Sequence, residues 1–271
     1  MLKVAVIVDD GQCAQWQRDA LHGVSDLVDL KLVLSCTNTP RKALPKKYFL
    51  YCALKFLTLR HPLMRRTSLE SPDGRLLEFE SIYDEEWQRI PEFVSTKLAA
   101  LKLDLIIKFG MPNLRIDDAL RTFPIVCFSH MDLFCRNGKP AGFYELLYQK
   151  NSVSIAICEL TDNAQYSKVW AAGYSKIARH SYQKTVINCF NNSIYLLRKA
   201  IQNISANVSP KLISDEAGHR RPRNCVVLKF LFELGIRKLK RLAHFAFFEK
   251  KWNIAVIQDF LFCTRAVFDL R

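Results

Sequence analysis

The sequence predicts a three-layer α/β domain with a mostly parallel sheet, followed by a basic helix and a partial β appendage. Leu2 to Val8 is an unbroken run rich in β-branched residues, typical of a central strand buried on both faces. Two further apolar runs, Leu105 to Phe109 and Ile125 to Phe128, flank a segment predicted as a helix, Asp117 to Thr122. Because a strand–helix–strand unit makes its strands parallel, their carboxyl ends should meet at one sheet edge.

The remaining elements follow from apolar periodicity and turn residues. We predict helices at Gln12–Val24, Lys46–Arg60, Glu92–Leu101 and Thr185–Ile204, and strands at Leu27–Ser35, Val153–Glu159 and near Lys168–Ala171. No G-x-G-x-x-G follows the first strand, so a dinucleotide-binding fingerprint is absent. The predicted organisation is an α/β domain at 1–204, a linker at 205–225, and a basic amphipathic helix with a strand-like tail at 226–271.

Composition limits the class of protein. The 271 residues are 49% apolar, enough for one sizeable core. The nine cysteines are scattered and form no C-x-x-C pair, which argues against a disulfide framework and against a metal site. The longest apolar run, Tyr48 to Leu59, contains Lys55 and is shorter than the roughly 20 residues of a membrane-spanning helix. The start of the chain lacks signal-peptide features, so we expect a cytoplasmic protein.

The net charge of +14 is concentrated in two segments. Residues 41–66 carry eight Lys/Arg and no acid, whereas residues 211–251 carry eleven Lys/Arg and four acids. Charge alone does not separate nucleic acid, anionic lipid and acidic partners. For the helix Lys46–Arg60 we expect packing on the sheet with a solvated basic face, and the alternative is peripheral docking on an anionic membrane or partner through 46–66 and 226–251.

Several motifs carry a resemblance to a known family. They are F-G-M-P-N-L after one strand, a strand that ends at His130, and R-N-G-K-P after it. In this order they resemble the folate-dependent formyltransferases over Met1 to Ile204, which implies their Rossmann-like fold. More narrowly, F-S-H and P-A-G-F-Y-E followed by L-T-D are similar to formyltransferase-like N-terminal domains of larger bacterial proteins linked to surface-carbohydrate synthesis. In those proteins a propeller-like domain follows.

The resemblance implies three catalytic positions. His130 takes the position of the catalytic histidine, which handles protons. Phe128 stands where the family has an oxyanion-supporting Asn, and Gln165 stands where it has the Asp that orients the histidine. Asp132 or Asp162 would be the substitutes if the loop is shifted. Two of the three catalytic positions therefore hold unsuitable residues.

The resemblance also implies a binding edge for 10-formyltetrahydrofolate. Its predicted cofactor-binding residues are Phe109, Gly110, Met111, Pro112, Asn113 and Leu114. Arg136 and Gly138, in the segment after the histidine, are the predicted substrate-binding residues, although turn geometry explains them equally well.

We therefore expect a catalytically impaired formyltransferase-like domain in bacterial surface-carbohydrate biosynthesis, with a propeller-like or glycosyltransferase partner domain. The first alternative is an active N-formyltransferase that moves a formyl group from 10-formyltetrahydrofolate to an amino sugar or another amine. The second is a basic adaptor on membrane or nucleic acid. A tRNA acceptor is disfavoured, because residues 205–271 offer too few strands for the β-barrel of the tRNA formyltransferases.

Overall fold

The structure, a computed structural model, describes residues 1–38, 46–58, 60–69, 75–84, 87–130, 141–160, 166–214 and 222–240. The strands are Leu2–Asp9 (β1), Gln12–Ala14 (β2), Val28–Cys36 (β3), Arg66–Ser68 (β4), Leu76–Phe79 (β5), Ile82–Asp84 (β6), Trp87–Arg89 (β7), Leu105–Lys108 (β8), Ile125–Ser129 (β9), Ser152–Glu159 (β10), Tyr166–Lys176 (β11) and Lys211–Ser214 (β12). The helices are Gln15–His22 (α1), Phe49–Thr58 (α2), Glu92–Ala100 (α3), Phe143–Leu147 (α4), Tyr182–Ser205 (α5) and 224–240 (α6). Turns of 3₁₀ helix lie at Lys46–Tyr48, Pro62–Met64 and Leu120–Thr122.

One large sheet organises these elements. Its centre runs β5-β3-β1-β8-β9 and is parallel throughout. From β9 it continues through β10, β11 and β12, each antiparallel to the strand before it. The short strands β2 and β4 extend the sheet from the end of β1. The predicted α/β fold is confirmed, and its parallel centre brings the carboxyl ends of β1, β8 and β9 to one edge.

Helices cover the sheet on both faces. On one face, Ala5 and Ile7 of β1 share a core cluster with Val94 and Leu98 of α3. On the other face, α1 packs against α5, and α5 packs on β10 and β11. All five residues from Val4 to Val8 are fully buried, because alternate side chains of a strand enter the two layers in turn. This double burial explains the apolar run at the start of the sequence.

Several predicted elements differ from the observed ones. The helix predicted at Asp117–Thr122 is only the 3₁₀ turn Leu120–Thr122, because a segment this short gains too few helical hydrogen bonds. Helix α5 begins at Tyr182, earlier than predicted, since Ser181 Oγ accepts a hydrogen bond from Lys184 N at 3.2 Å and caps the first turn. The predicted linker 205–225 contains strand β12, which pairs with the outer edge of β11 and hydrogen-bonds to its backbone.

Helix α2 does not present the face that the sequence suggested. We expected packing on the sheet with a solvated basic face, but three large apolar side chains, Phe49, Phe56 and Leu57, are exposed. Tyr51 and Thr58 are the buried residues of this helix. The ring of Tyr51 meets the ring of Phe143 edge-on at 6.5 Å, and this contact helps to set the side of α2 that faces inward.

The chain divides into two compact units, Met1–Asn224 and Cys225–Arg271. In the second unit the described residues form the rest of α6, within the predicted basic helix 226–251. The predicted β appendage, Trp252 to Arg271, lies outside the described residues. Within the described part of the chain, every helix is too short or too polar to cross a bilayer.

Gly110, in the turn after β8, packs closely against the backbone of β1. A Cβ atom at this position would lie 2.6 Å from both Asp9 Oδ1 and the carbonyl carbon of Val8. The backbone of β1 cannot move aside without disturbing the central strand of the sheet. We therefore expect Gly110→Ala to lower the free energy of unfolding by about 1–3 kcal/mol through overpacking.

Urea denaturation followed by circular dichroism measures this change. Gly23→Ala is the matched control in the same unit, since its Cβ would make only ordinary contacts, the nearest at 3.4 Å. Equal unfolding midpoints for the two variants would contradict the proposed packing.

Candidate active site

The candidate site lies where three parallel strands end together. Ile7 of β1 is level with Lys108 of β8, and Lys108 is level with Cys127 of β9. His130 directly follows β9 and therefore stands at the carboxyl edge of the sheet. This is the edge at which open α/β sheets bind ligands.

An aromatic cluster surrounds His130 on the sheet face that carries α1 and α5. Its members are Trp16, Phe109, Phe128, His130 and Phe190. The imidazole meets the Trp16 ring edge-on at 5.1 Å and the Phe190 ring at 4.7 Å. It is parallel to the Phe128 ring at 6.1 Å. His130 is thus enclosed by rings from α1, β9 and α5.

This environment keeps the imidazole neutral. Burial lowers the pKa of His130 from 6.5 to about 4, since an apolar surrounding disfavours the imidazolium. Its Nε2 atom is buried and has no hydrogen-bond partner among the described residues. A nearby carboxylate would raise this pKa, but burial alone accounts for the shift. At neutral pH His130 is therefore an uncharged, partly buried ring among aromatic side chains.

Phe128, at the expected Asn position, belongs to the same packing. Its ring lies 5.0 Å from the Trp16 ring and 5.8 Å from the Phe109 ring. A phenyl ring has no N–H group to support an oxyanion. Phe128 makes aromatic contacts instead, and its predicted correspondence to the family's Asn stays a prediction.

The turn after β8, predicted to bind the cofactor, is held mainly by its backbone. Met111 has a φ of 50° and its N–H donates to Asp9 Oδ1 at 2.9 Å. The carbonyl of Asn113 accepts a hydrogen bond from the Gln88 backbone N–H at 2.9 Å. The side chains of Met111 and Leu114 are buried in the core, whereas Pro112 is exposed. A ligand at this edge can therefore contact Pro112 and backbone atoms more readily than Met111 or Leu114.

The opposite sheet face has a different character at the same edge. Lys108 lies beside Cys127 in the strand register, on the face that packs against α3. Burial lowers the pKa of Lys108, and burial raises the pKa of the Cys127 thiol. The edge therefore offers an aromatic side and a side with polar groups.

Sequence reasoning did not assign Trp16, Phe190, Asp9 or Lys108 to the site. Trp16 and Phe190 read only as apolar positions of helices, and no local pattern shows that two helices distant in the chain meet at His130. The sequence did contain a signal for Lys108 and Asp9. Lys108 is a charged residue inside an apolar run, and Asp9 ends the first strand.

Five of the predicted site residues lie outside the described residues. They are Asp132, Arg136, Gly138, Asp162 and Gln165. Their roles stay predictions.

Solved structures share this fold. The crystal structure of phosphoribosylglycinamide formyltransferase from Anaplasma phagocytophilum matches 80% of this chain and 96% of its own, with a TM-score of 0.51 and 12% identity. Glycinamide ribonucleotide transformylase 1 from Symbiobacterium toebii matches 74% of this chain and 86% of its own, with a TM-score of 0.48 and 13% identity. A 4-N formyltransferase from Francisella tularensis matches 81% of this chain and 75% of its own, with a TM-score of 0.48 and 9% identity.

The first of these similarities shows which fold the chain has. The chain has the fold of the formyltransferases, and the predicted resemblance to the folate-dependent formyltransferases is confirmed at the level of the fold. At 12% identity the similarity is one of fold alone. No protein-family model and no curated protein sequence matches the chain.

The depressed pKa of His130 makes stability depend on pH. The unfolded chain gains a proton on this residue near pH 6.5, whereas the folded chain gains it only near pH 4. Stability from this residue is therefore full above about pH 6.5 and is lost as the pH falls toward 4. We expect a loss on the order of 2–3 kcal/mol over this range.

Denaturation of the wild type and of His130→Phe at a series of pH values isolates this contribution, because the carboxylates titrate in both proteins. The difference in unfolding free energy should be constant above pH 7 and should grow in favour of His130→Phe below pH 6. His22→Ala removes an exposed histidine and should follow the wild type. A constant difference down to pH 4 would show that His130 is not buried as described.

Proposed function

We propose that this protein is a formyltransferase-fold domain that binds a ligand at the carboxyl edge of its sheet and transfers formyl groups poorly or not at all. The observation that carries the proposal is the state of His130. Its Nε2 is buried without a partner among the described residues, and aromatic rings enclose the imidazole.

The chemistry of formyl transfer argues in the same direction. The histidine of the family exchanges a proton during the reaction. A pKa of about 4 instead of 6.5 makes the imidazolium roughly 300-fold rarer at neutral pH. The loss of an oxyanion donor at Phe128 costs on the order of 10²–10³ in rate. Both effects lower the rate of the same step, the transfer of the formyl group.

The binding edge supports retention of a ligand. The turn from Phe109 to Leu114 keeps a defined backbone, fixed through Asp9 and Gln88. Phe109 and Phe128 are only partly buried, so each has ring surface at the edge. A flat pterin ring, as in 10-formyltetrahydrofolate, suits such a surface through stacking. A sugar nucleotide is the alternative ligand.

The biological setting is inferred from the sequence motifs. F-S-H, P-A-G-F-Y-E and L-T-D are similar to those of formyltransferase-like domains linked to bacterial surface carbohydrates. On this basis we propose a role in surface-carbohydrate biosynthesis, beside a propeller-like or glycosyltransferase domain. The domain would bind ligand or hold its partner.

An active N-formyltransferase acting on an amino sugar is the second candidate. Its favouring observation is that His130 directly follows β9, at the strand end where the sequence resemblance predicts the catalytic histidine. It requires a carboxylate, from Asp132 or from the loop 161–165, within hydrogen-bonding distance of the imidazole.

Formyl release distinguishes the two candidates. We expect wild type and His130→Ala to release formate or transfer formyl from 10-formyltetrahydrofolate at the same background rate, because the described residues give the imidazole neither a charge partner nor a nearby oxyanion donor. The change in absorbance as tetrahydrofolate forms measures the rate, and an active formyltransferase serves as the positive control. Turnover in the wild type that His130→Ala removes would refute the impaired-enzyme proposal.

Ligand binding is tested separately by calorimetry with 10-formyltetrahydrofolate. Pro112→Asp should weaken binding by about tenfold, because it adds a negative charge at the proposed edge and the folate is itself an anion. Tyr174→Asp introduces the same charge at a position that is 76% exposed on β11 and should bind as the wild type does. Equal affinities of the two variants would place the ligand elsewhere.

A further inference from the structure

The outer side of α2 is apolar. Phe49, Ala53, Phe56 and Leu57 are separated by four, seven and eight positions from the first, so they form one stripe along the helix. Phe49, Phe56 and Leu57 are 67%, 59% and 60% exposed. In a globular protein such a stripe normally faces the core. Here it faces solvent.

Contacts on the inner side hold α2 in this orientation. Tyr51 is 5% exposed and packs edge-on against Phe143. At the start of the helix, Asn224 Oδ1 accepts a hydrogen bond from Leu50 N at 3.0 Å, and Asn224 Nδ2 donates to Lys46 O at 2.9 Å. Rotation of the apolar stripe inward would break these contacts and expose Tyr51.

Basic side chains surround the stripe. Exposed cations precede the stripe, lie within its segment and follow it along the chain: Lys46, Lys47, Lys55, Arg60, Arg65 and Arg66. Residues 41–66 contain no Asp or Glu. The Arg60 guanidinium lies 4.7 Å from the centre of the Phe56 ring. Large apolar groups therefore project among cations with no compensating acid in the segment.

This combination identifies the kind of partner. A second copy of the chain would present the same positive charge and would be repelled. A nucleic acid would satisfy the cations but would leave the aliphatic Leu57 and the helical stripe without an apolar partner. An anionic bilayer satisfies both, since its phosphates attract Lys and Arg while the boundary of the acyl chains accepts Phe and Leu.

We propose that α2 docks the protein peripherally on an anionic membrane surface, with Phe49, Phe56 and Leu57 inserted at the headgroup boundary. The surface is independent of the aromatic cluster around His130. Docking therefore does not require a ligand or formyl transfer at the sheet edge.

Co-sedimentation of the full chain with vesicles tests the proposal. The wild type should bind vesicles of phosphatidylcholine mixed with phosphatidylserine, and should bind vesicles of phosphatidylcholine alone at least about tenfold more weakly. The triple variant Phe49→Ser, Phe56→Ser, Leu57→Ser should lose at least about tenfold in affinity for the anionic vesicles. Because these side chains are exposed, its circular dichroism spectrum should match that of the wild type.

Two further variants complete the design. Phe93→Ser removes a side chain that is 53% exposed on α3 and should bind as the wild type does. The triple variant Lys46→Ser, Lys47→Ser, Lys55→Ser should weaken binding to anionic vesicles, and added salt should reduce the difference from the wild type.

Three results would overturn the proposal. The first is failure of the wild type to bind anionic vesicles, including the case in which it binds duplex RNA instead. The second is equal binding to neutral and anionic vesicles. The third is unchanged binding of the Phe49, Phe56 and Leu57 variant, which would assign membrane contact to another segment.

Discussion

The indole ring of Trp16 ties together the elements that form the candidate site. It touches Phe109 after β8, Phe128 of β9, His130 at the end of β9 and Phe190 of α5. Aromatic pairs of this kind contribute about 0.5–1.5 kcal/mol each beyond the area that they bury. Because each ring fills the space beside the next, α1, α5 and the two strand ends cannot shift independently. The direction of His130 is fixed by this packing.

The same packing decides the chemistry that His130 can perform. A histidine that exchanges protons needs water, a carboxylate or another dipole to stabilise its charged form. The rings offer none of these, so burial keeps His130 neutral. Across the sheet, the side with Lys108 and Asp9 carries charge at the same edge. This sheet edge thus has an aromatic side with an uncharged, partly buried histidine and a second side with polar groups.

Packing of buried side chains also sets the orientation of α2. A helix buries one side, and here Tyr51 and Thr58 occupy it. Because Tyr51 is buried against Phe143, the stripe from Phe49 to Leu57 is exposed to water. Exposure of large apolar side chains to water is energetically unfavourable. Exposed basic residues around the stripe give this surface a positive charge.

The sequence by itself determined the parts of this protein that depend on local chemistry. The apolar runs Leu2–Val8, Leu105–Phe109 and Ile125–Phe128 predicted strands that the structure shows at Leu2–Asp9, Leu105–Lys108 and Ile125–Ser129, and the position of His130 after a strand follows from them. Much of the candidate site could therefore be located in advance.

Only the tertiary structure decided which groups meet there. Trp16 and Phe190 reach His130 from two helices far apart in the chain, and Tyr51 rather than Phe56 faces inward on α2. Apolar periodicity shows that a residue needs burial, but the neighbour that buries it comes from a distant part of the chain. The pKa of His130 and the exposed side of α2 both depend on those neighbours, so the packed structure was needed to reveal them.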